Sequence, residues 1–118
     1  SMKVREFAEK LGMKVLTGNN EGLENSIEGI YTCDLLSWVM SHAQKGDAWI
    51  TVHTNINIVA VAVLTEVSCI IVPEGICVEQ DTVKRAESEG IVILGTDLNT
   101  YEICCKAYEC GIGLNNDK

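Results

Sequence analysis

The residues of this sequence best suited to chemistry are a cysteine beside an aspartate and a histidine further along the chain. Cys33 and Asp34 stand between a β-branched run and an apolar helical pattern, and His53 follows a second apolar run. A thiolate beside an imidazole is a nucleophile–base arrangement. However, the charge of Asp34 opposes ionisation of the thiol, and Asp is among the best residues to cap a helix. We therefore predict that Asp34 begins a helix.

Length and composition describe one ordinary globular domain. The chain has 118 residues, 47% of them hydrophobic, and a formal net charge of −8. We expect one domain over residues 1–112 and a frayed tail over 113–118. So acidic a chain repels phosphate backbones, which argues against nucleic-acid binding. We see no signal peptide and no membrane-spanning run, so we expect a soluble, cytoplasmic protein without membrane contact.

Helical and strand patterns alternate along the chain. Apolar spacing predicts helices over residues 4–11, 34–46, 55–67, 78–89 and 99–110. Short apolar or β-branched runs predict strands over 14–17, 27–32, 48–52, 69–72 and 91–94, with a turn over 18–22. The later strands are continuous apolar runs, which is typical of a buried parallel sheet. The pattern therefore predicts a three-layer α/β/α fold with a mostly parallel sheet of about five strands.

Polar side chains collect where the predicted strands end. Parallel sheets bind ligands beyond the carboxyl ends of their strands, and helix N-termini there offer free amides to an anion. His53 has two open interpretations: a half-buried imidazole bonded to the backbone, or a ligand contact that carries a proton near neutral pH. The predicted ligand-binding residues at this edge are Asp34, Ser37, His53, Thr54, Asn55, Thr96 and Asp97.

Some residues at this edge also have a purely structural interpretation, because Asp, Asn and Thr accept hydrogen bonds from the first turn of a helix. The predicted caps are Asp34 for the second helix, Thr54 or Asn55 for the third, and Asp97 or Thr100 for the last.

Six cysteines are present, but they predict neither a disulfide framework nor a metal site. The chain has no Cys-x-x-Cys pair, and Cys104, Cys105 and Cys110 do not share one face of a helix. We interpret the cysteines as small hydrophobic side chains. The sequence also lacks the glycine-rich phosphate loops of kinases and dinucleotide enzymes. We therefore expect no metal, no cofactor and no kinase activity.

The helix predicted over residues 55–67 is apolar nearly all round. A helix of this kind is buried on several faces, and a domain of this size has few elements to cover it. We therefore expect a homodimer that forms through this helix or its neighbours.

Five segments come in the order and spacing of the DRTGG domain, which the chain resembles from about residue 2 to residue 112. They read DLLS (34–37), WITVHT (49–54), NIVAVAVL (57–64), IVILGTD (91–97) and YECGI (108–112). The family is similar to the N-terminal domain of HPr kinase/phosphorylase. Its members are fused to phosphotransacetylases or placed beside CBS domains in pyrophosphatases. The resemblance implies an α/β/α fold and a regulatory or dimer-forming role, without the catalytic domain of the kinase.

The motif that names the family is not intact in this chain. The corresponding loop reads NSIEGI (25–30) and clearly keeps only Gly29. Paired glycines let a backbone bend or approach a partner closely, which Ile30 does less readily. Members of the family also commonly carry serine at the position of Cys33, so we interpret this thiol as a local replacement.

The sequence favours one function and leaves two alternatives. The favoured hypothesis is a non-catalytic regulatory and dimerisation module that binds a nucleotide or another small anion at the strand ends. The first alternative is an interaction adaptor that docks a partner enzyme or kinase and binds no small molecule. The second, least favoured, is a small enzyme that uses Cys33 or His53.

Overall fold

Seven short strands and five helices build the fold, and the computed structural model describes residues 1–18 and 21–114. The strands are β1 Met2–Lys3, β2 Lys14–Val15, β3 Ser26–Ile27, β4 Gly29–Thr32, β5 Asp47–Ile50, β6 Cys69–Val72 and β7 Ile93–Gly95. The helices are α1 Val4–Leu11, α2 Leu36–His42, α3 Asn57–Thr65, α4 Gln80–Glu89 and α5 Thr100–Glu109.

A five-stranded sheet forms the middle layer. Its strands lie in the order β2-β7-β6-β5-β4, and every neighbouring pair is parallel except β2 with β7. Helices α1 and α5 cover one face, and α2, α3 and α4 cover the other. The predicted three-layer α/β/α class is therefore confirmed.

The alternation of side chains along each strand divides the core into two apolar clusters. On β5, Ala48 and Ile50 pack with Phe7 and Ile103, whereas Trp49 packs on the opposite face. Successive side chains of a strand point to opposite faces, so a strand covered on both sides is apolar throughout. This explains the continuous apolar runs at β5 and β6, whose residues are all buried. Asp47, the first residue of β5, is a buried polar residue.

The strand predicted over residues 27–32 is two strands. Ser26 and Ile27 pair antiparallel with β1, and only Gly29–Thr32 joins the main sheet. Between them, the Glu28 amide donates to the Gly46 carbonyl at 2.8 Å. The pattern did not predict β1, because a strand of two residues has no measurable period. A 3-10 turn at Glu21–Glu24 was also not predicted.

The helix ends agree with the glycine signals but only partly with the predicted caps. Gly12 and Gly90 follow α1 and α4 with φ of 65° and 75°, in the left-handed region that favours glycine. Asn55 Oδ1 accepts from the Asn57 amide at 2.9 Å, as predicted for the start of α3. The predicted cap of α5 by Asp97 or Thr100 is wrong.

Helix α5 is capped by Asn99. Its Oδ1 accepts from the Glu102 amide at 2.8 Å, and Glu102 Oε1 accepts from the Asn99 amide at 2.9 Å. This reciprocal pair is a capping box, which satisfies two amides at the start of the helix. Asn99 is favoured because it lies at the extended residue directly before the first helical turn.

Two predicted segments lie partly outside the described residues. The turn over 18–22 includes Asn19 and Asn20, and the tail over 113–118 includes residues 115–118. The division into residues 1–112 and a tail stays a prediction. Across residues 1–18 and 21–114, no helix is long and apolar enough to cross a bilayer.

Candidate functional site

The carboxyl ends of β4, β5, β6 and β7 carry the polar residues predicted to bind a ligand. These strands are parallel, so their ends meet at one edge of the sheet. Two loops at this edge are joined through the backbone. The Glu74 amide donates to the Leu98 carbonyl at 2.9 Å, and the Gly75 amide donates to the Thr96 carbonyl at 2.8 Å. The β6–α4 and β7–α5 loops therefore form one connected unit.

Asp34 does not cap helix α2, so that prediction is wrong. Its Oδ1 accepts from Thr51 Oγ1 at 2.8 Å and from the Val52 amide at 2.9 Å. The residue directly before α2 is Leu35, whose side chain makes no capping bond. The physical reason is that the Thr51 side chain, 1% exposed, needs a hydrogen-bond partner at the end of β5. Asp34 therefore joins the ends of β4 and β5.

His53, Thr54 and Asn55 are tied into the β5–α3 loop. The His53 amide donates to Thr51 Oγ1 at 3.2 Å, and the Thr54 carbonyl accepts from buried Thr82 Oγ1 at 2.7 Å. Among the described residues, no hydrogen bond to the His53 ring is found. The backbone-bonded imidazole of the first interpretation is therefore not found among the described residues, and the ligand contact stays a prediction. Ser37 is an exposed residue of α2.

A small cavity of about 120 Å³ lies beside Asp34. Small-molecule sites usually have about 300 to 1,000 Å³, so this cavity is too small for a nucleotide. Cys33 also lines it, and its carbonyl accepts from Trp49 Nε1 at 3.0 Å. The remaining lining residues are Thr32, Ile50, Thr51, Val52 and Thr100.

A larger cavity of about 440 Å³ lies between β2, β7 and the β6–α4 loop, and we call it the β2–β7 cavity. Of the predicted ligand-binding residues, only Thr96 and Asp97 line it. The other lining residues are Gly12, Lys14, Leu16, Gly75, Ile76, Cys77, Val78, Val83 and Gly95. The volume and the mainly apolar wall are typical of a small-molecule site. The predicted site residues therefore do not share one cavity: Thr96 and Asp97 line this one, whereas Asp34 lines the small one.

Sequence reasoning missed Lys14 and the apolar wall of the β2–β7 cavity. Lys14 reaches the site because β2 runs antiparallel beside β7, with Lys14 opposite Gly95. Neither the order of the strands nor the direction of β2 is encoded in a local pattern. Gly95 offered a weak signal, since glycine near a strand end often marks a close approach of another group.

An open groove of about 830 Å³ lies at the opposite edge, where β4, β5 and β6 begin. It is lined by Asn25, Ser26 and Glu28, which belong to the loop where the family motif is altered. Asn25 Nδ2 donates to the Ser68 carbonyl at 3.2 Å, and Ser68 Oγ donates to the Ser26 carbonyl. A Cβ at Gly46 would lie 2.8 Å from Glu28 Cγ, so the altered loop packs tightly against Gly46.

All six cysteines are free thiols. Complete burial raises the pKa of Cys69 from 9.0 to about 12, and partial burial, with Cys105 nearby, raises the pKa of Cys104. Raised values oppose thiolate formation, so neither thiol is activated as a nucleophile. Within the part of the chain that the structure describes, no group of three or more His, Cys, Asp or Glu side chains is placed to hold a metal ion.

The fold described above is that of an α/β/α domain. The sequence profile of the DRTGG domain matches residues 6–110, so the chain belongs to the DRTGG domain family. The resemblance inferred from the sequence is therefore confirmed. A comparison with curated proteins found no match.

A solved structure shares this fold. It contains the CBS and DRTGG domains of the regulatory region of a Clostridium perfringens pyrophosphatase, complexed with its activator, diadenosine tetraphosphate. The TM-score is 0.74 at 14% sequence identity, over 97% of this chain and 49% of that one. This chain therefore spans about half the length of that structure, and at this identity the likeness shows the fold alone.

Proposed function

We propose that this chain is a non-catalytic regulatory module that binds a nucleotide or another small anionic ligand and forms a homodimer. The observation that carries the ligand part is the β2–β7 cavity. It lies at the edge where parallel sheets bind ligands, and Thr96 and Asp97 line it. Membership in the DRTGG family and the nucleotide activator in the pyrophosphatase structure support this function. The raised pKa values of Cys69 and Cys104 argue against catalysis by these two thiols.

Thermal denaturation of the full chain tests the ligand part. A ligand that binds only the folded state raises the melting temperature, and the rise grows with the ratio of ligand concentration to Kd. We expect a rise with at least one of adenosine, AMP, ATP and inorganic phosphate at millimolar concentration. Lack of any rise across this panel would contradict ligand sensing and favour the adaptor alternative.

The homodimer part is supported by the outer face of α3. This helix buries Ile58, Val59, Val61 and Ala62 but leaves Ile56, Val63 and Leu64 exposed at 38%, 44% and 66%. Together with Ala60, the exposed residues have the spacing of one helical face. Contiguous exposed apolar surface of this kind is typical of a protein contact. A second copy of the chain can cover it without introducing charge.

Light scattering after size exclusion tests the homodimer. The monomer mass is 12.9 kDa, and we expect twice that value at micromolar concentration. Leu64→Glu places a charge in the proposed contact and should return the chain to a monomer. The matched control is Glu66→Gln, which changes an exposed residue at the end of α3 and should leave the dimer intact. A wild-type chain that is monomeric contradicts the proposed contact, and the same apolar face would then favour a partner protein.

A further inference from the structure

We propose that the β2–β7 cavity binds a nucleoside through its base and ribose, and that phosphate groups contribute little. The inference rests on the proposed function, because it names the class of ligand for the same site. It decides between the two chemistries left open there, a nucleotide recognised by its nucleoside part and a small anion recognised by its charge.

The apolar wall fits a flat, uncharged base. Leu16, Ile76, Val78 and Val83 line the cavity, and each is half-buried. A free phosphate would gain nothing from four aliphatic side chains, whereas a planar base would bury both them and its own faces. An aliphatic wall of this kind favours a ligand with an apolar surface.

Three of the residues that line the cavity are glycines. A Cβ at Gly95 would lie 3.2 Å from Leu16 Cδ1, so a side chain there would crowd the wall. Gly75 has φ of 67°, and a Cβ there would lie 2.9 Å from Asp97 Oδ1. Gly12 borders open space and also has a positive φ. Without side chains at these positions, a ring can approach the backbone closely.

The two charged residues of the cavity favour ribose over phosphate. Among the described residues that line it, Asp97 is the acidic one and Lys14 the basic one, and neither has an ion pair within the described part of the chain. A carboxylate only accepts hydrogen bonds, so Asp97 suits the donor hydroxyls of a ribose. The same carboxylate repels phosphate, and Lys14 alone cannot balance a polyphosphate. The net charge of −8 adds to this repulsion.

Titration calorimetry with the full chain tests the ligand class. The probes are adenosine, guanosine, ATP and inorganic phosphate in the same buffer. We expect adenosine or guanosine to bind at least as tightly as ATP, with no heat from phosphate. Tighter binding of ATP or phosphate than of either nucleoside would overturn this inference and leave the proposed function standing. No binding by any probe would overturn both.

Two variants separate the role of Asp97 from a structural one. Asp97→Asn keeps the size of the side chain but removes its charge. We expect it to weaken nucleoside binding about tenfold, because the ribose hydroxyls lose a charged acceptor, and to weaken ATP binding less, because the repulsion of its phosphates is removed at the same time. Asp81→Asn removes an exposed carboxylate of α4 outside the cavity and should change neither affinity. Unchanged nucleoside affinity in Asp97→Asn would contradict the proposed contact with ribose.

Cys77 provides a local reporter, because it lines the cavity and is exposed. A bound nucleoside should slow its alkylation by iodoacetamide, while Cys105, exposed on α5, serves as the internal control. Equal alkylation rates of Cys77 with and without saturating nucleoside would place the ligand elsewhere and overturn the assignment to this cavity.

Discussion

At the scale of single residues, the partner of a side chain decides its role. Asp34 reads as a helix cap in the sequence but serves as the acceptor for Thr51 and the Val52 amide. Both roles use a carboxylate oxygen at the start of a helix. The choice between them depends on which amide or hydroxyl the neighbouring strand brings within reach.

The Asp34 contact should be measurable as stability. Asp34→Ala leaves the buried Thr51 hydroxyl without its acceptor, and we expect a loss of about 1 to 3 kcal/mol in the free energy of unfolding. Urea denaturation of the two single variants Asp34→Ala and Thr51→Val, and of the double variant, forms a cycle. The Asp34→Ala loss should shrink in the Thr51→Val background. An unchanged loss there would show that Asp34 acts through another group.

Cys69 should make stability depend on pH in the alkaline range. Its folded pKa of about 12 lies above the ordinary value of 9.0, so the folded state keeps its proton while the unfolded state loses it. Its contribution is complete below pH 9.0 and falls as the pH rises toward about 12, by up to about 1.4 kcal/mol per pH unit. Denaturation of Cys69→Ala should show a shallower alkaline slope than wild type. Parallel slopes would contradict the burial of this thiol.

At the scale of elements, the helices begin and end at specific local signals. Glycines end α1 and α4, and the Asn99–Glu102 capping box begins α5. These signals extend over three or four residues, so they can be recognised in the local sequence. The strands β1 and β2 are different, since each has two residues and exists only through its partner.

Variants of Asn99 and Asp97 test which of these two residues caps helix α5. Asn99→Ala should lower the free energy of unfolding by about 1 kcal/mol, because an amide of the first turn of α5 loses its acceptor. Asp97→Ala, the residue expected from sequence to cap this helix, should leave stability nearly unchanged. Chemical denaturation of both variants measures the difference. An equal loss in the two would mean that Asp97 supports the helix through the loop.

At the scale of the whole molecule, acidic side chains outnumber basic ones. The net charge is −8, and Glu24 forms surface ion pairs with Lys3 and Arg5. Hydrogen bonds from these two cations lower the pKa of Glu24. Exposed ion pairs contribute little to the free energy of unfolding. The excess of carboxylates over cations therefore dominates the electrostatics of the folded chain.

Salt should therefore stabilise this protein. Raising NaCl from about 20 mM to about 500 mM screens repulsion between carboxylates, and we expect the melting temperature at neutral pH to rise by a few degrees. The same series at about pH 5, close to the isoelectric point of 4.6, is the control and should give a smaller rise. A melting temperature that falls with salt at neutral pH would show that attractive pairs dominate.

The sequence by itself determined the layers, the alternation of helix and strand, and the polar residues at the carboxyl ends of the parallel strands. These follow from local apolar periods, from glycine stops and from the family resemblance, all of which are present along the chain. It also predicted that Thr96 and Asp97 lie at the edge where these strands end. Residues that directly follow a parallel strand lie at the same edge of the sheet wherever that strand is placed.

Only the tertiary structure decided which side chains meet. Strand order put β2 beside β7, so Lys14 and the apolar residues of the β6–α4 loop came to line the cavity with Asp97. It also put β4 beside β5, which joined Asp34 to Thr51 and left only a small cavity there. The physical reason is that a local pattern specifies the face of an element, whereas a site depends on contacts between elements far apart in the chain.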